Sequence, residues 1–108
     1  MLDEKTIQDL KDKYGEIYEL KSDSADEDYK IKEYVFMKPT RVHLSRFAKG
    51  VANDTFKALH ALIMDCLVYP DKGQVQEQLD EKPGLVVSLG GELQKIVGIN
   101  ENFSVTKL

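Results

Sequence analysis

The chain has few of the features that mark secreted, membrane-bound or metal-binding proteins. It has one cysteine, Cys66, so an internal disulfide is impossible, and the thiol lies in an apolar run where it would act as a small buried hydrophobe. No apolar stretch approaches the roughly 20 residues that a membrane span requires. Residues 1–4 lack the basic start and the apolar run of a secretion signal. We therefore expect a soluble protein of the reducing cytoplasm.

Excess positive charge is also missing. The net charge is −4, and all of the excess acid lies in residues 1–38, which hold eleven acidic side chains and seven lysines. The remaining residues hold eight charged side chains of each sign. An acidic surface repels phosphate backbones, and no predicted helix carries a one-sided stripe of lysine and arginine. The composition therefore argues against nucleic acid as a partner.

What the sequence does contain is enough apolar residues for one folded domain. Its 108 residues are 42% hydrophobic, which allows one buried core without metals or disulfides. The sequence shows no internal repeat, low-complexity tract or interdomain linker. We expect a single domain over residues 1–108.

The first third of the chain predicts a short helix followed by a β-hairpin. Apolar residues recur at helical spacing over about residues 3–14, and Gly15 follows as a stop. Residues 16–22 and 29–37 alternate between polar and apolar side chains, as half-buried strands do. The acidic run 23–28 between them is typical of a turn, so the two strands should pair antiparallel.

The pattern changes from strand to helix at Pro39. Proline has no N–H to donate to a strand ladder, and Thr40 is a suitable N-cap for an amphipathic helix over Arg41–Val51. Asn53-Asp54 then caps a second, mostly apolar helix. Because the apolar positions of this helix continue to Leu67, we expect it to be the central core helix.

The run Tyr69–Gly73 is expected to break that helix, with a short helical piece before Lys82. Pro83 suits the first turn of a last helix, where its missing N–H is harmless. Gly98 should terminate this helix, and residues 99–108 should form a tail.

These elements predict an α+β fold: an N-terminal short helix and antiparallel β-hairpin over residues 1–38, followed by a three- to four-helix C-terminal bundle over residues 39–98. Gly90-Gly91 inside the last helix is unusual, because each glycine costs a helix interior about 1 kcal/mol relative to alanine. A close helix crossing and a local kink would explain the pair equally well. The centres of the best apolar stripes should be buried, namely Phe47, Leu59, Leu62, Ile63 and Leu89.

Candidate catalytic and metal-binding residues are few. Neither His43 nor His60 has a second ligand at the i+3 or i+4 spacing that would turn two side chains towards one metal. Apolar neighbours should raise the pKa of Cys66 and leave the thiol unreactive. Asp65 is the one acid of the core helix, and it can face solvent. We therefore expect no enzyme activity, no metal and no cofactor, with a divergent enzyme using Asp65 or His60 as a lesser alternative.

The second hairpin strand carries apolar side chains on both faces. A two-stranded ribbon is marginal by itself, so one face should pack on the helices, and either a partner chain or the first helix should cover the other. We expect self-association and partner binding through the hairpin and the apolar face of the last helix. The predicted partner-binding residues of the hairpin are Tyr29, Ile31, Tyr34, Val35, Phe36 and Met37.

The hairpin, the run Phe36-Met37-Lys38-Pro39-Thr40-Arg41, the helix start at Asn53-Asp54 and the core helix over Leu59–Cys66 together resemble a family of small tail assembly chaperones of long-tailed phages and prophages. The similarity covers about residues 14–108, with a departure at Tyr69-Pro70-Asp71. The resemblance implies a non-enzymatic protein that binds the long, aggregation-prone tape measure protein while tail tube subunits assemble around it. The alternative is a small structural or adaptor protein that binds one folded partner.

Overall fold

The computed structural model describes residues 2–22, 29–99 and 103–108. The expected α+β fold is confirmed, with an N-terminal helix, a small antiparallel sheet and several further helices. The predicted hairpin turn at residues 23–28 lies outside the described residues. Among the described residues, no helix is long and apolar enough to cross a bilayer. The elements are, in chain order, α1 (Glu4–Tyr14), β1 (Ile17–Lys21), β2 (Glu33–Met37), α2 (Arg41–Val51), α3 (Thr55–Cys66), β3 (Leu67–Tyr69), α4 (Lys72–Glu81) and α5 (Gly84–Ile96).

Strand β2 lies in the middle of an antiparallel sheet of order β1-β2-β3. β1 pairs with it from Ile17 opposite Met37 to Lys21 opposite Glu33. β3 pairs along the other side of β2, with an irregularity in the register. β2 therefore has a strand partner on each side, and β1 is an edge strand.

The third strand is absent from the sequence-based prediction, which assigns Leu67 to the core helix. That assignment is wrong, because α3 ends at Cys66 and the next three residues pair with β2. A strand of three residues is too short to show alternation, and Leu67 continues the apolar spacing of the helix before it. The expected two-stranded ribbon is thus a three-stranded sheet.

The predicted helix starts are confirmed by the cap geometry. The Thr40 hydroxyl accepts from the backbone N–H of His43 at 3.3 Å, and Nδ1 of His43 accepts from the backbone N–H of Thr40 at 3.0 Å. This reciprocal pair satisfies two amides that would otherwise lack partners. A carboxylate oxygen of Asp54 accepts from the backbone N–H of Lys57 at 3.0 Å and caps α3 in the same manner.

The core lies between the sheet and the helices α3, α4 and α5. Four of the five residues predicted to be buried are buried, and Phe47 is only half-buried. It packs against the core from α2, a helix in which every residue is at least partly exposed. An amphipathic pattern predicts which side of a helix faces inward but not how deeply the helix lies. The buried core cluster consists of Tyr34, Phe36, Leu59, Leu62, Ile63, Cys66, Leu67, Val75, Leu79, Val86, Leu89 and Leu93.

The two glycines of α5 have different surroundings. A Cβ at Gly90 would lie 2.6 Å from Cδ2 and 3.3 Å from Cβ of Leu59, so this is where α3 and α5 cross closely. For a Cβ at Gly91, the nearest described atoms outside its own helix are more than 4 Å away. The helix is continuous through both positions. A close crossing therefore explains Gly90 and not Gly91.

Candidate protein-binding groove

A groove of about 710 Å³ lies between the β1 side of the sheet and α5. One wall comes from the sheet and the segment before β2, and the other comes from a single face of α5. The residues that line it are Tyr18, Glu19, Leu20, Lys21, Ser22, Tyr29, Ile31, Tyr34, Leu85, Ser88, Leu89, Glu92 and Ile96.

The sheet wall is built by side chains on the helix-facing side of β1 and β2. Tyr18 lies opposite Phe36, and Leu20 lies opposite Tyr34, and cross-strand neighbours share a face of the sheet. The rings of Tyr34 and Phe36 are stacked, with centroids 6.4 Å apart. Because Tyr34 is 3% exposed, burial raises the pKa of its phenol. Tyr34 therefore forms part of the buried floor of the groove.

A buried glutamine on α4 holds the segment that precedes β2. The side-chain amide of Gln78 accepts from the backbone N–H of Ile31 at 2.8 Å and donates to the Ile31 carbonyl at 2.9 Å. It also hydrogen-bonds to the Tyr34 hydroxyl. The amide thus takes the place of a strand neighbour for the half-buried Ile31 and provides hydrogen-bond partners for both of its backbone groups. This contact positions two of the groove-lining residues.

The helix wall follows one face of α5. The wall residues follow the helical spacing i, i+3, i+4, i+7 and i+11, and they therefore lie along one side of the helix. They are Leu85, Ser88, Leu89, Glu92 and Ile96. Three of them are apolar, and Ser88 and Glu92 are exposed. The wall thus combines an apolar surface with a polar margin.

The margin of the groove carries charges of both signs. Nζ of Lys21 lies 3.9 Å from Oε1 of Glu33, and Oε1 of Glu92 lies 3.2 Å from Nζ of Lys95. Glu33 is partly exposed, and the other three side chains are well exposed. Such surface pairs contribute little to stability. Glu19, also on the margin, has no ion-pair partner among the described residues.

The open side of β1 presents backbone groups to the groove margin. The backbone N–H of Ser22 donates to the Lys32 carbonyl at 2.7 Å, and that of Lys38 donates to the Glu16 carbonyl at 3.2 Å. Hydrogen-bonded and non-hydrogen-bonded pairs alternate along an antiparallel ladder, so the even-numbered residues of β1 bond to β2. The backbone groups that point away from β2 belong to Ile17, Glu19 and Lys21.

The structure separates the six predicted partner-binding residues into three groups. Tyr29, Ile31 and Tyr34 line the groove, whereas Val35 and Phe36 are 2% and 0% exposed. The expected exposed face is therefore wrong for Val35 and Phe36, and Tyr34 is buried as well at 3% exposed, because both faces of β2 are covered at these positions. Met37 is half-buried and packs against the core. On α5, the groove adds Ser88 and Glu92, polar residues that an apolar pattern does not select.

The fold brings a histidine to the single cysteine. Nδ1 of His43 lies 3.6 Å from Sγ of Cys66, although the two residues are 23 positions apart. The expectation of purely apolar neighbours is therefore wrong. Burial of the Cys66 thiol is still the largest influence on its pKa, and the negative charge of Asp65 acts in the same direction. Together they raise the pKa of the thiol to about 11. Nδ1 also accepts the Thr40 N–H, so it is already part of the helix cap.

The other candidate catalytic residues make structural contacts. Asp65 forms an ion pair with Arg46 at 3.0 Å on the exposed side between α2 and α3. Nε2 of His60 lies 2.8 Å from Oε1 of Gln76, which joins α3 to α4. Among the described residues, no group of three or more histidine, cysteine, aspartate or glutamate side chains could hold a metal ion.

Comparison with known proteins places the chain in a family. Residues 10–106 match the model of a domain of unknown function, DUF6848. The chain belongs to this family. A solved structure of an uncharacterised protein, rbstp2171 from Bacillus stearothermophilus, is similar to it, with 27% sequence identity and a TM-score of 0.79. That similarity covers 93% of this chain and 99% of the other. No curated protein matches the chain.

Proposed function

We propose that this DUF6848 protein is a non-enzymatic binding protein that acts as a phage tail assembly chaperone and keeps a tape measure protein soluble. The groove between β1 and α5 is the observation that carries the proposal. It places apolar side chains of the hairpin region and of the last helix, the two surfaces expected to contact a partner, on opposite walls of one cleft.

The chemistry of the groove suits an apolar segment of another protein. Leu20, Ile31, Leu85 and Ile96 offer apolar contact area, since each is only partly buried in this chain. An amphipathic helix can place its apolar face in such a groove, and its polar face would remain at the charged margin. Segments of this kind aggregate when they are exposed, and a chaperone would cover them until assembly.

The resemblance to tail assembly chaperones supports the choice of partner. It includes the run from Phe36 to Arg41, which forms the end of β2, the proline and the start of α2. In this proposal the partner is the tape measure protein of the same phage or prophage, and it is bound in the cytoplasm of the host.

Co-expression with that tape measure protein tests the proposal. We expect the chain to raise the soluble yield of the tape measure protein and to co-purify with it. Ser88→Arg places a long charged side chain inside the groove and should reduce both effects. Val87→Arg is a matched control, because Val87 is the neighbouring residue, is 58% exposed and lies outside the groove.

The results separate the proposal from its alternatives. If the wild-type chain neither binds nor solubilises the tape measure protein, the proposal is wrong and a small structural or adaptor protein becomes the better hypothesis. If Val87→Arg impairs binding and Ser88→Arg does not, the partner contacts another face of α5.

A further inference from the structure

The segment 103–108 exposes apolar side chains that the other described residues do not cover. Phe103 is 83% exposed and Val105 is 95% exposed, and Leu108 is also fully exposed. Exposed apolar residues are common when they occur singly, but three within six residues form a cluster. Such a cluster is typical of a segment that is covered in an assembly.

The sequence of this segment is that of a strand. Over residues 103–106 the apolar Phe103 and Val105 alternate with the polar Ser104 and Thr106, and the order reverses at Lys107 and Leu108. Aromatic and β-branched residues favour extended structure, and their alternation places Phe103 and Val105 on one side of a strand. The segment has no strand partner within the described part of its own chain.

Within residues 2–22, 29–99 and 103–108, the sheet has a matching open position beside β1. β1 is an edge strand, and the N–H and C=O groups of Ile17, Glu19 and Lys21 point away from β2. An edge of this kind can pair with an added strand. The groove lies under this edge, between β1 and α5.

We propose that residues 103–108 of one copy add to the β1 edge of a second copy, and that the exchange is reciprocal. The added strand extends the sheet beyond β1. Phe103 and Val105 then lie on the same face of the extended sheet as Tyr18 and Leu20, and their side chains enter the groove above Leu85. Lys107 is on the same side of the strand, where Glu92 of α5 provides a carboxylate of opposite charge.

Two features favour a second copy over the segment's own chain. All six residues of the segment are exposed in the single chain, and none of them lines its own groove. A reciprocal exchange also gives two identical contacts related by a two-fold axis, which closes the assembly at a dimer. This dimer does not depend on a tape measure protein, so it is independent of the proposed function. Because both use the same groove, a bound partner segment would displace the exchanged strand.

The molar mass of the full chain in solution tests the dimer. At tens of micromolar, light scattering after size exclusion should give twice the 12.3 kDa mass of one copy. The double variant Phe103→Asp/Val105→Asp should be monomeric, because two charges would have to enter an apolar groove. Ser104→Asp/Thr106→Asp adds the same charge on the other side of the strand and should remain dimeric.

A second pair of variants tests the edge strand. Glu19→Pro removes an N–H that points away from β2, so the β1-β2 ladder keeps its hydrogen bonds while the added strand loses one. It should be monomeric with an unchanged circular dichroism spectrum, and Glu19→Ala should stay dimeric. A wild-type chain that is monomeric at these concentrations would overturn the proposal. So would a dimer that survives both Phe103→Asp/Val105→Asp and Glu19→Pro, because its interface would then lie elsewhere.

Discussion

The crossing of α3 and α5 at Gly90 allows a sharp test of the packing, because the neighbouring Gly91 provides an internal control. Both glycines are in the middle of the same helix, so replacing either by alanine changes helix propensity by the same amount. They differ in what the added methyl group meets. At Gly90 it meets Leu59, a residue 7% exposed, and at Gly91 it meets open space.

The expected free energies follow from these surroundings. Gly91→Ala should stabilise the protein by up to about 1 kcal/mol, which is the helix-propensity difference alone. Gly90→Ala has the same gain, but a Cβ at 2.6 Å from Cδ2 of Leu59 forces that side chain to move within a packed core. Overpacking of this kind costs about 1–3 kcal/mol. The helix-propensity gain cancels in the comparison, so the two variants should differ by about 1–3 kcal/mol.

Thermal unfolding of the wild type and the two alanine variants measures this difference. For a domain of this size, 1 kcal/mol corresponds to a change in Tm of about 4–8 °C. We expect Gly91→Ala to melt at or above the wild type and Gly90→Ala to melt at least about 4 °C below Gly91→Ala. Adding Leu59→Ala to each variant should remove most of the difference, because it deletes Cγ and Cδ2 of Leu59 and leaves only the Cβ contact at 3.3 Å. Equal melting temperatures for the two single variants would refute the close crossing.

Two further predictions concern buried groups. Gln78→Leu should lower the free energy of unfolding by about 1–3 kcal/mol, because it leaves the N–H of Ile31 without its partner and the C=O of Ile31 with only the Tyr34 hydroxyl at 3.4 Å. Gln74→Leu, an exposed position one turn earlier on the same helix, should change it by less than about 0.5 kcal/mol. Equal effects of these two substitutions in urea titrations would contradict the role of the Gln78 amide. The Cys66 thiol should react with iodoacetamide at neutral pH orders of magnitude more slowly in the native protein than in urea, because it is buried and its pKa is raised to about 11. Since the folded pKa of the thiol is above its unfolded value, Cys66 should lower the stability as the pH rises from about 9 to 11. Cys66→Ala should show a smaller decline, and the part that remains is expected from Tyr34, whose pKa is also raised by burial. Rapid labelling of the native protein would contradict the assignment.

Local sequence determined the helix starts and the order of most elements. Thr40 and Asp54 were identifiable as caps because a cap depends on a side chain and amides only two or three residues away. The amphipathic spacing likewise predicted α2 over Arg41–Val51 with the bounds that the structure has. The resemblance to tail assembly chaperones added a function that neither the pattern nor the fold tests, and it stays a prediction.

Contacts between residues that are far apart in the chain determined the rest of the fold. Leu67–Tyr69 became a strand because β2 offered an unpaired side, and the same pairing left Val35 and Phe36 inside the core rather than on a surface. The pairing of Gln78 with Ile31 spans 47 positions, so no local pattern could reveal it. The spacing of apolar residues determines which side of each element turns inward, because that depends on the element's own geometry. Which surfaces remain open, including the groove between β1 and α5, depends on where the elements meet, and only the tertiary structure decides that.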